Sequence, residues 1–465
     1  MTAAPNPQAA PRLLTGWLKS LIAGLLSLSL VAMPAQAQSI LRDAETEALL
    51  ADISAPLIEA AGLSPANVKV VLIQDSSINA FVAVGQTVYL NSGLIASADD
   101  ANEVQGVIAH ELGHIAGGHV IRIGEGVKEA TGITLLSLLA GIALAAAGAG
   151  EAGMGVMAAG QQAAMGKFLA YSRTQESSAD QAGSSYLRKA GISGEGMLDF
   201  FKTLQNQEFR YSVDREIDYA YTHPLSGDRL QILRTDLEGD SAFSTPTPPS
   251  LEARFQRVKA KLGGYTDTPT RTLQKFPETD LTVPARYARA YAWHRSSYPA
   301  KALDEVTALL KVTPDDPYFL ELEGQILLES GRPQEALPAL RKASELTRSQ
   351  PLIAALFGHA LIATENRANF DEAVTVLNAA VARDNDNPFA WYQLGLVHAQ
   401  LGDDSRAALA TAERYNLTAD WSLALRHAEV AMAGIDPNAP DWLRAQDIAY
   451  VARSEIERRD KRRKN

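Results

Sequence analysis

Apolar residues recur along this chain at two spacings, and the changes between them predict its elements. From Ser39 to Ala61, Ile40, Leu41, Leu49, Leu50, Ile53, Leu57 and Ile58 follow a helical pattern with charges between them, and Pro56 marks a kink or a division. Val68–Gln74 is a short β-branched run. Ala80–Leu90 has strand character broken by Gly85-Gln86, a hairpin-like turn, so the two stretches predict a small sheet. Glu103–Val120 and Glu176–Ala190 predict helices, the second stopped by Gly191. Between them Ala130–Gly150 carries no charge, and after Glu151 the segment Ala152–Gly166 continues, rich in Ala, Gly and Met. By length alone the first half qualifies as a membrane span, which takes about 20 residues.

Beyond Pro284 the pattern becomes Ala- and Leu-rich and periodic. Pro317, Pro351 and Pro388 are each followed seven positions later by glycine, at Gly324, Gly358 and Gly395. Small residues recur at Ala336, Ala373 and Ala407, with Ala343 and Ala380 beyond the first two. A period near 34 with small residues in this register resembles tetratricopeptide repeats, in which alanine lets paired helices approach and proline starts the next unit. The middle unit is longer, which fits an extended turn at Asn366–Asn369. Ala290 and Ala302 suggest an earlier, weaker unit. Two stretches rich in Ser, Thr, Pro and Gly, Glu238–Ser250 and Gly263–Thr272, read as linkers.

Composition narrows the chemistry. The 465 residues include 43 Lys or Arg against 54 Asp or Glu, so nucleic acid is not an expected partner. With 46% apolar residues the chain can bury sizeable cores, which excludes wholesale disorder. There is no cysteine, which removes disulfides, thiol nucleophiles and cysteine-ligated zinc together. Any metal must sit on His and carboxylates. Arg12 and Lys19, the apolar run Leu21–Met33 and Ala35-Gln36-Ala37 form a secretory signal pattern, residues 1–37, with the mature chain starting near Gln38. With no cysteine available for lipidation, a soluble exported protein is expected. The basic tail, residues 457–465, reads as a solvated helix end, with anionic lipid as the alternative contact.

His110-Glu111-Leu112-Gly113-His114 is the strongest local signal. On a helix the two histidines lie about 40° apart, so both imidazoles can meet one metal with Glu111 beside them. A catalytic zinc needs a third protein ligand and one open position. His119 is one residue away from the spacing at which a third histidine would follow, because Val120 occupies that position. On a continuous helix His119 projects about 180° from His110, as a surface or capping group. The other candidate is Glu176, in Arg173-Thr174-Gln175-Glu176-Ser177-Ser178-Ala179-Asp180. Glu176 and Asp180 share a helix face, so Asp180 can hold a histidine N–H while Glu176 binds the ion.

Taken with Asn79-Ala80-Phe81, Asn91-Ser92-Gly93-Leu94 and Thr222-His223-Pro224, these residues resemble the HtpX-like gluzincin peptidases, and the secretion signal and repeats resemble their soluble periplasmic branch. The resemblance implies one zinc ion per chain held by His110, His114 and Glu176, Glu111 as catalytic base, and a strand around Asn79–Val84, including Ala80 and Phe81, that pairs with an extended substrate. His223 has three readings: a donor to the oxyanion of the reaction, a fourth ligand that silences the enzyme, or a loop histidine with a turn role. If the site forms, Ala130–Gly150 cannot cross a bilayer once, since His110 and Glu176 would then lie on opposite sides. The insert 130–166 is expected instead as a helical pair, over the cleft as a lid or pressed on a membrane surface, with a re-entrant helical hairpin through Gly166 as the alternative.

The expected fold is mainly α: an α+β peptidase domain over residues 38–262 with a small β-sheet and a metal-binding helix, a linker 263–283, and an α-solenoid of repeats over 284–456. By resemblance its role is quality control of misfolded or stalled outer-membrane proteins, with the repeats docking the outer-membrane assembly machinery and peripheral membrane contact. The rival from another class is a repeat-domain chaperone or adaptor whose zinc site is structural or latched.

Overall fold

The computed structural model describes residues 39–83, 85–146, 150–210, 223 and 227–464. The signal segment 1–37, Val84, Thr222 and Pro224 lie outside the described residues. Four short strands, β1 (Ser39–Leu41), β2 (Lys69–Gln74), β3 (Ala80–Ala83) and β4 (Thr87–Asn91), form one sheet in the order β1-β2-β4-β3. β2 runs parallel to β4, with Val71 opposite Tyr89, and β3 runs antiparallel to it, with Phe81 opposite Tyr89. Gly85 makes the β3–β4 turn at φ 91°, a conformation that glycine adopts without strain. β3 is therefore an edge strand.

Helix α1 (Ala44–Ala60) starts where the Asp43 carboxylate accepts the Thr46 N–H at 2.8 Å, and it runs through Pro56 unbroken. Its buried face, Leu49, Leu50, Ile53, Leu57 and Ile58, joins the core around α3 (Ala101–Ala116). The short α2 (Ser92–Ser97) leads into α3, which is capped by Asp100 and buried from Ala101 to His114. The helix expected over Glu103–Val120 is two helices. α3 stops at Gly117, Gly118 turns the chain at φ 64°, and α4 (His119–Ala146) begins in a new direction.

α5 (Gly150–Ala190) returns along α4 as an antiparallel partner, its Gly160 against Ser137 and Gly141 of α4 against Met157. Small residues fill the seam of this pair, while Leu135, Leu136, Leu139, Ile142, Met154 and Met165 face outward. The described residues of the insert 130–166 lie within these two helices. Among the described residues no helix is long and apolar enough to cross a membrane. α6 (Glu195–Arg210), α7 (Gly227–Glu238) and α8 (Pro249–Thr266) complete the shell around α3.

The segment 263–283, read as a linker, contains the end of α8 and all of α9 (Pro269–Lys275). Helix pairs follow: α10 (Val283–Arg295) with α11 (Pro299–Val312), α12 (Pro317–Glu329) with α13 (Pro333–Leu346), and α14 (Pro351–Ala363) with α15 (Phe370–Arg383). α16 (Pro388–Leu401), α17 (Asp404–Leu417), α18 (Trp421–Gly434) and α19 (Pro440–Lys464) continue the stack. Proline opens many of these helices, where its missing N–H costs no intrahelical bond. A Cβ at Gly324 would fall 2.3 Å from Leu340, and one at Gly358 would fall 2.5 Å from Leu377, so both glycines are required by the closeness of paired helices. The longer middle unit is accommodated by a 3-10 turn at Arg367–Asn369.

Ile40 to the C-terminus is one compact unit. Charge joins its two parts. Lys261 and Arg257 of α8 reach Asp43 and Glu45 at the start of α1, Arg257 also pairs with Asp316 at the start of α12, and Tyr287 of α10 donates to Glu45 at 2.8 Å.

Candidate metal centre

Three small residues bring the site together. A Cβ on Gly113 would lie 2.7 Å from the Ala179 carbonyl oxygen, and one on Gly183 would lie 3.1 Å from the backbone of Ala109. α3 and α5 therefore cross almost backbone to backbone, and Glu176 and Asp180 face His110 and His114. On the other side of α3, Gly106 abuts the Met197 backbone of α6, which seats Phe201 with its ring 5.6 Å from that of His110. The Asn91-Ser92-Gly93 motif acts further out. Ser92 Oγ donates to the Asp75 carbonyl at 2.8 Å, Asn91 Nδ2 donates to Ser77 Oγ at 2.9 Å, and a Cβ on Gly93 would collide with the Ser76 carbonyl. These contacts fix the loop that delivers Asn79 and β3 to the cleft.

His110, His114, Glu176 and His223 converge, with one ligand atom of each within 4.8 Å of all the others. His110 Nε2 lies 3.1 Å from His114 Nε2, 3.2 Å from His223 Nδ1 and 3.4 Å from Glu176 Oε2. His114 Nε2 is 3.4 Å from Glu176 Oε1, and His223 Nδ1 is 3.1 Å from Glu176 Oε2. Four ligands at about 2.0–2.1 Å around a tetrahedral ion stand about 3.3–3.4 Å apart. Neutral imidazoles and a carboxylate at these separations fit such an ion.

The electrostatics ask for positive charge at the same spot. Burial alone would lower the His110 imidazole, but Asp180 and Glu176 outweigh it and lift it to about 10. Burial opposes the charge of Glu176, yet the hydrogen bonds and charges of His110 and His223 hold its carboxyl far below the usual range. Asp180 is likewise held low against burial, by His110 and Arg229. Its Oδ1 is 3.0 Å from His110 Nδ1, while Arg229 donates to both its oxygens at 2.7 and 2.8 Å and stands 3.2 Å from Glu176. Arg229 clamps the acidic pair.

Glu111 is fully buried next to these donors, and its oxygens carry no hydrogen bond among the described residues. His223 Nε2 is 3.5 Å from Oε1. Burial raises the Glu111 carboxyl, against the pull of His223 and His110, toward the range in which it can both take and return a proton. A cleft of about 370 Å³ opens on this group, lined by Phe81 and Val82 of the edge strand and by His119, Val120, Phe168, Tyr171 and Gln175. Phe81 is stacked on Tyr89 at 5.1 Å. Ala80 is buried and Asn79 nearly so, with the Asn79 carbonyl accepting the Asn91 N–H at 2.9 Å.

Two contacts escaped the sequence reading. Arg229 sits 49 positions from Asp180, and no local spacing signals the pair. His119, expected at the surface, is only 8% exposed, with Nδ1 2.9 Å from His114 Nδ1. The break at Gly117-Gly118 accounts for the difference, since it cancels the continuous-helix geometry that sent His119 to the opposite face. Burial lowers its pKa, so the ring is neutral at pH 7.

A buried pair of histidines one helical turn apart, a glutamate from a second helix and a buried carboxylate opening on a cleft are the features of a metalloprotease. Residues 44–236 match the model of peptidase family M48, and the chain carries an M48 domain followed by tetratricopeptide repeats, matched over residues 287–351 and 368–402. Over 353 residues it is 26% identical to the beta-barrel assembly-enhancing protease of Escherichia coli strain K12, covering 74% of this chain and 70% of that protein. It is 33% identical over 179 residues to the metalloprotease LoiP of the same strain, covering 38% of this chain and 64% of the relative. The crystal structure of YrrB, a TPR protein, aligns with 38% of this chain and 92% of its own at 22% identity and a TM-score of 0.32.

Proposed function

We propose that this chain is a periplasmic zinc endopeptidase that removes misfolded or stalled outer-membrane proteins, with His110, His114 and Glu176 as ligands and Glu111 as base. The observation that carries the reading is the convergence of these three residues beside a buried carboxylate that has no hydrogen bond among the described residues. Zinc bound there supplies Lewis acidity to the scissile carbonyl and to the attacking water. Glu111 takes a proton from that water and returns it to the leaving amine, and its raised affinity for protons suits both steps. Asp180, clamped by Arg229, accepts the Nδ1–H of His110 and so turns Nε2 toward the ion. The edge of β3, with Asn79, Ala80 and Phe81, takes an extended client segment as an added strand. The name of the Escherichia coli relative, a protease that enhances β-barrel assembly, supports a β-barrel client, and the repeats offer a surface for its assembly machinery. The helical pair, with its outward leucines and methionines, suits contact with a membrane surface or an unfolded client.

A second reading is favoured by His223, whose Nδ1 stands as close to Glu176 as a fourth ligand would. In that position it fills the place the attacking water needs, and the protease is latched until a client or partner moves the loop. The deciding experiment measures zinc per chain and cleavage of casein and of an unfolded β-barrel protein, for the parent and Glu111→Gln. One zinc per chain with cleavage lost only in the variant supports the reading. Full cleavage by Glu111→Gln, or a parent without zinc, overturns it.

A further inference from the structure

We infer that His119 is a positioning residue of the metal centre, its Nδ1 accepting the Nδ1–H of His114 and so committing His114 to present Nε2 to the ion. The inference rests on the metal reading proposed above. A neutral imidazole that binds a metal through Nε2 carries its proton on Nδ1, and that proton needs an acceptor when the ring is buried. For His110 the acceptor is Asp180, at 3.0 Å. For His114, which is 8% exposed, the group at hydrogen-bond distance of Nδ1 is another imidazole, His119, at 2.9 Å. An imidazole can accept at Nδ1 only when its own proton is on Nε2, so the geometry fixes both tautomers.

The backbone is built around this contact. Gly118, at φ 64°, turns the chain so that the first residue of α4 folds back onto the last turn of α3. A Cβ on Gly117 would fall 2.3 Å from His119 Nε2 and 2.7 Å from Cδ2, so the ring lies directly over that glycine. Gly117 itself has φ −71°, which alanine adopts without strain. Its lack of a side chain therefore serves the His119 ring and not the turn. Charge explains why an imidazole stands here instead of a second carboxylate. Glu111, Glu176 and Asp180 already bring three acidic groups to the site against Arg229, and a fourth would have to be buried beside them.

The test uses the full chain with zinc alone as probe, its affinity measured by competition with a chromogenic chelator and folding followed by circular dichroism. His119→Leu should weaken zinc binding by about 10–100-fold, the usual cost of losing such a partner. His119→Asn places an acceptor oxygen where Nδ1 stands and should recover most of that loss. Gly117→Ala, which displaces the ring and leaves every ionisable group in place, should behave as His119→Leu. A His119→Leu protein that binds zinc like the parent, while His114→Ala loses it, overturns the inference and leaves the metal reading standing. Failure of His119→Asn to recover affinity also overturns it, since the ring would then act through packing. A parent chain that binds no zinc overturns the metal reading, and this inference with it.

Discussion

At the junction between the M48 part and the repeats, Lys261 and Arg257 meet Asp43, Glu45 and Asp316, each cation against carboxylates, with the Tyr287 hydroxyl completing Glu45. At the candidate metal centre, the His110 ring nitrogen faces those of His114 and His223 at 3.1 and 3.2 Å beside the Glu176 carboxylate, and Glu111 stands by with no hydrogen bond among the described residues. Both clusters hold buried charge, Glu45 and Lys261 in the first and Glu176 and Glu111 in the second. The first satisfies itself with side chains, so its product is rigidity. The second brings four possible metal-ligand atoms to one point, an arrangement that a bound cation would complete, so its expected product is affinity and chemistry. Burial of charge therefore does not by itself mark a candidate site in this molecule; convergence of ligand atoms on one point does.

The largest effect that could break this contrast is at Glu111. Replacement by glutamine keeps shape and removes the base, so peptide cleavage should fall by about 10²–10⁴-fold with zinc content and melting temperature unchanged. A fall in melting temperature comparable to that of a core mutant would mean that Glu111 belongs to the self-satisfied kind. His110→Ala should instead lose zinc, and one zinc per chain in that variant would move the site elsewhere.

At the junction the expectation is reversed. Lys261→Met leaves Asp43 and Glu45 short of a buried partner and should cost about 3–5 kcal/mol of unfolding free energy in urea, with cleavage per folded molecule unchanged. A repeat fragment starting at Pro284 also loses α8, which packs on α10, and should melt lower than one starting at Pro249. Equal melting of the two fragments would show the repeats to be independent of the junction.

His223→Ala sharpens the comparison from inside the metal centre. As a latch, His223 is a dispensable partner, and basal cleavage of casein should rise while zinc stays bound. As a donor to the oxyanion it is required, and kcat should fall by about 10²–10³-fold. The sign of the change decides.

The smallest effect is in acid. Burial pushes the Asp43 carboxyl up, but Lys261 outweighs it and holds it below its ordinary value. An acid whose folded value is depressed stabilises the fold above its unfolded value, near 3.9, and loses that contribution as pH falls through the lower folded value. Lys261 itself is raised above its ordinary value, so its share disappears only as pH rises beyond the alkaline range. The stability gap between the parent and Asp43→Asn should accordingly be constant from about pH 5 to 9 and close in stronger acid. A gap that closes on the alkaline side first would assign the junction to another pair.

Much of this was legible in the chain because local spacing sets which residues share a face. The i,i+4 histidines, the i,i+4 pair Glu176 and Asp180, the turn at Gly85 and the proline, glycine and alanine register of the repeats all report on neighbours within a turn or one repeat. Which distant faces meet is another matter. Glu176 reaches His110 because Gly113, Ala179 and Gly183 let two backbones touch, and these small residues, unlike those of the repeats, have no period to announce them. Arg229 finds Asp180, and Lys261 finds Asp43, across loops and helices whose lengths say nothing of charge pairing. His119 was misplaced for the same reason in miniature. One left-handed glycine ended a helix that hydrophobic spacing alone would have continued, and the direction of a chain after such a break is fixed only by what it packs against.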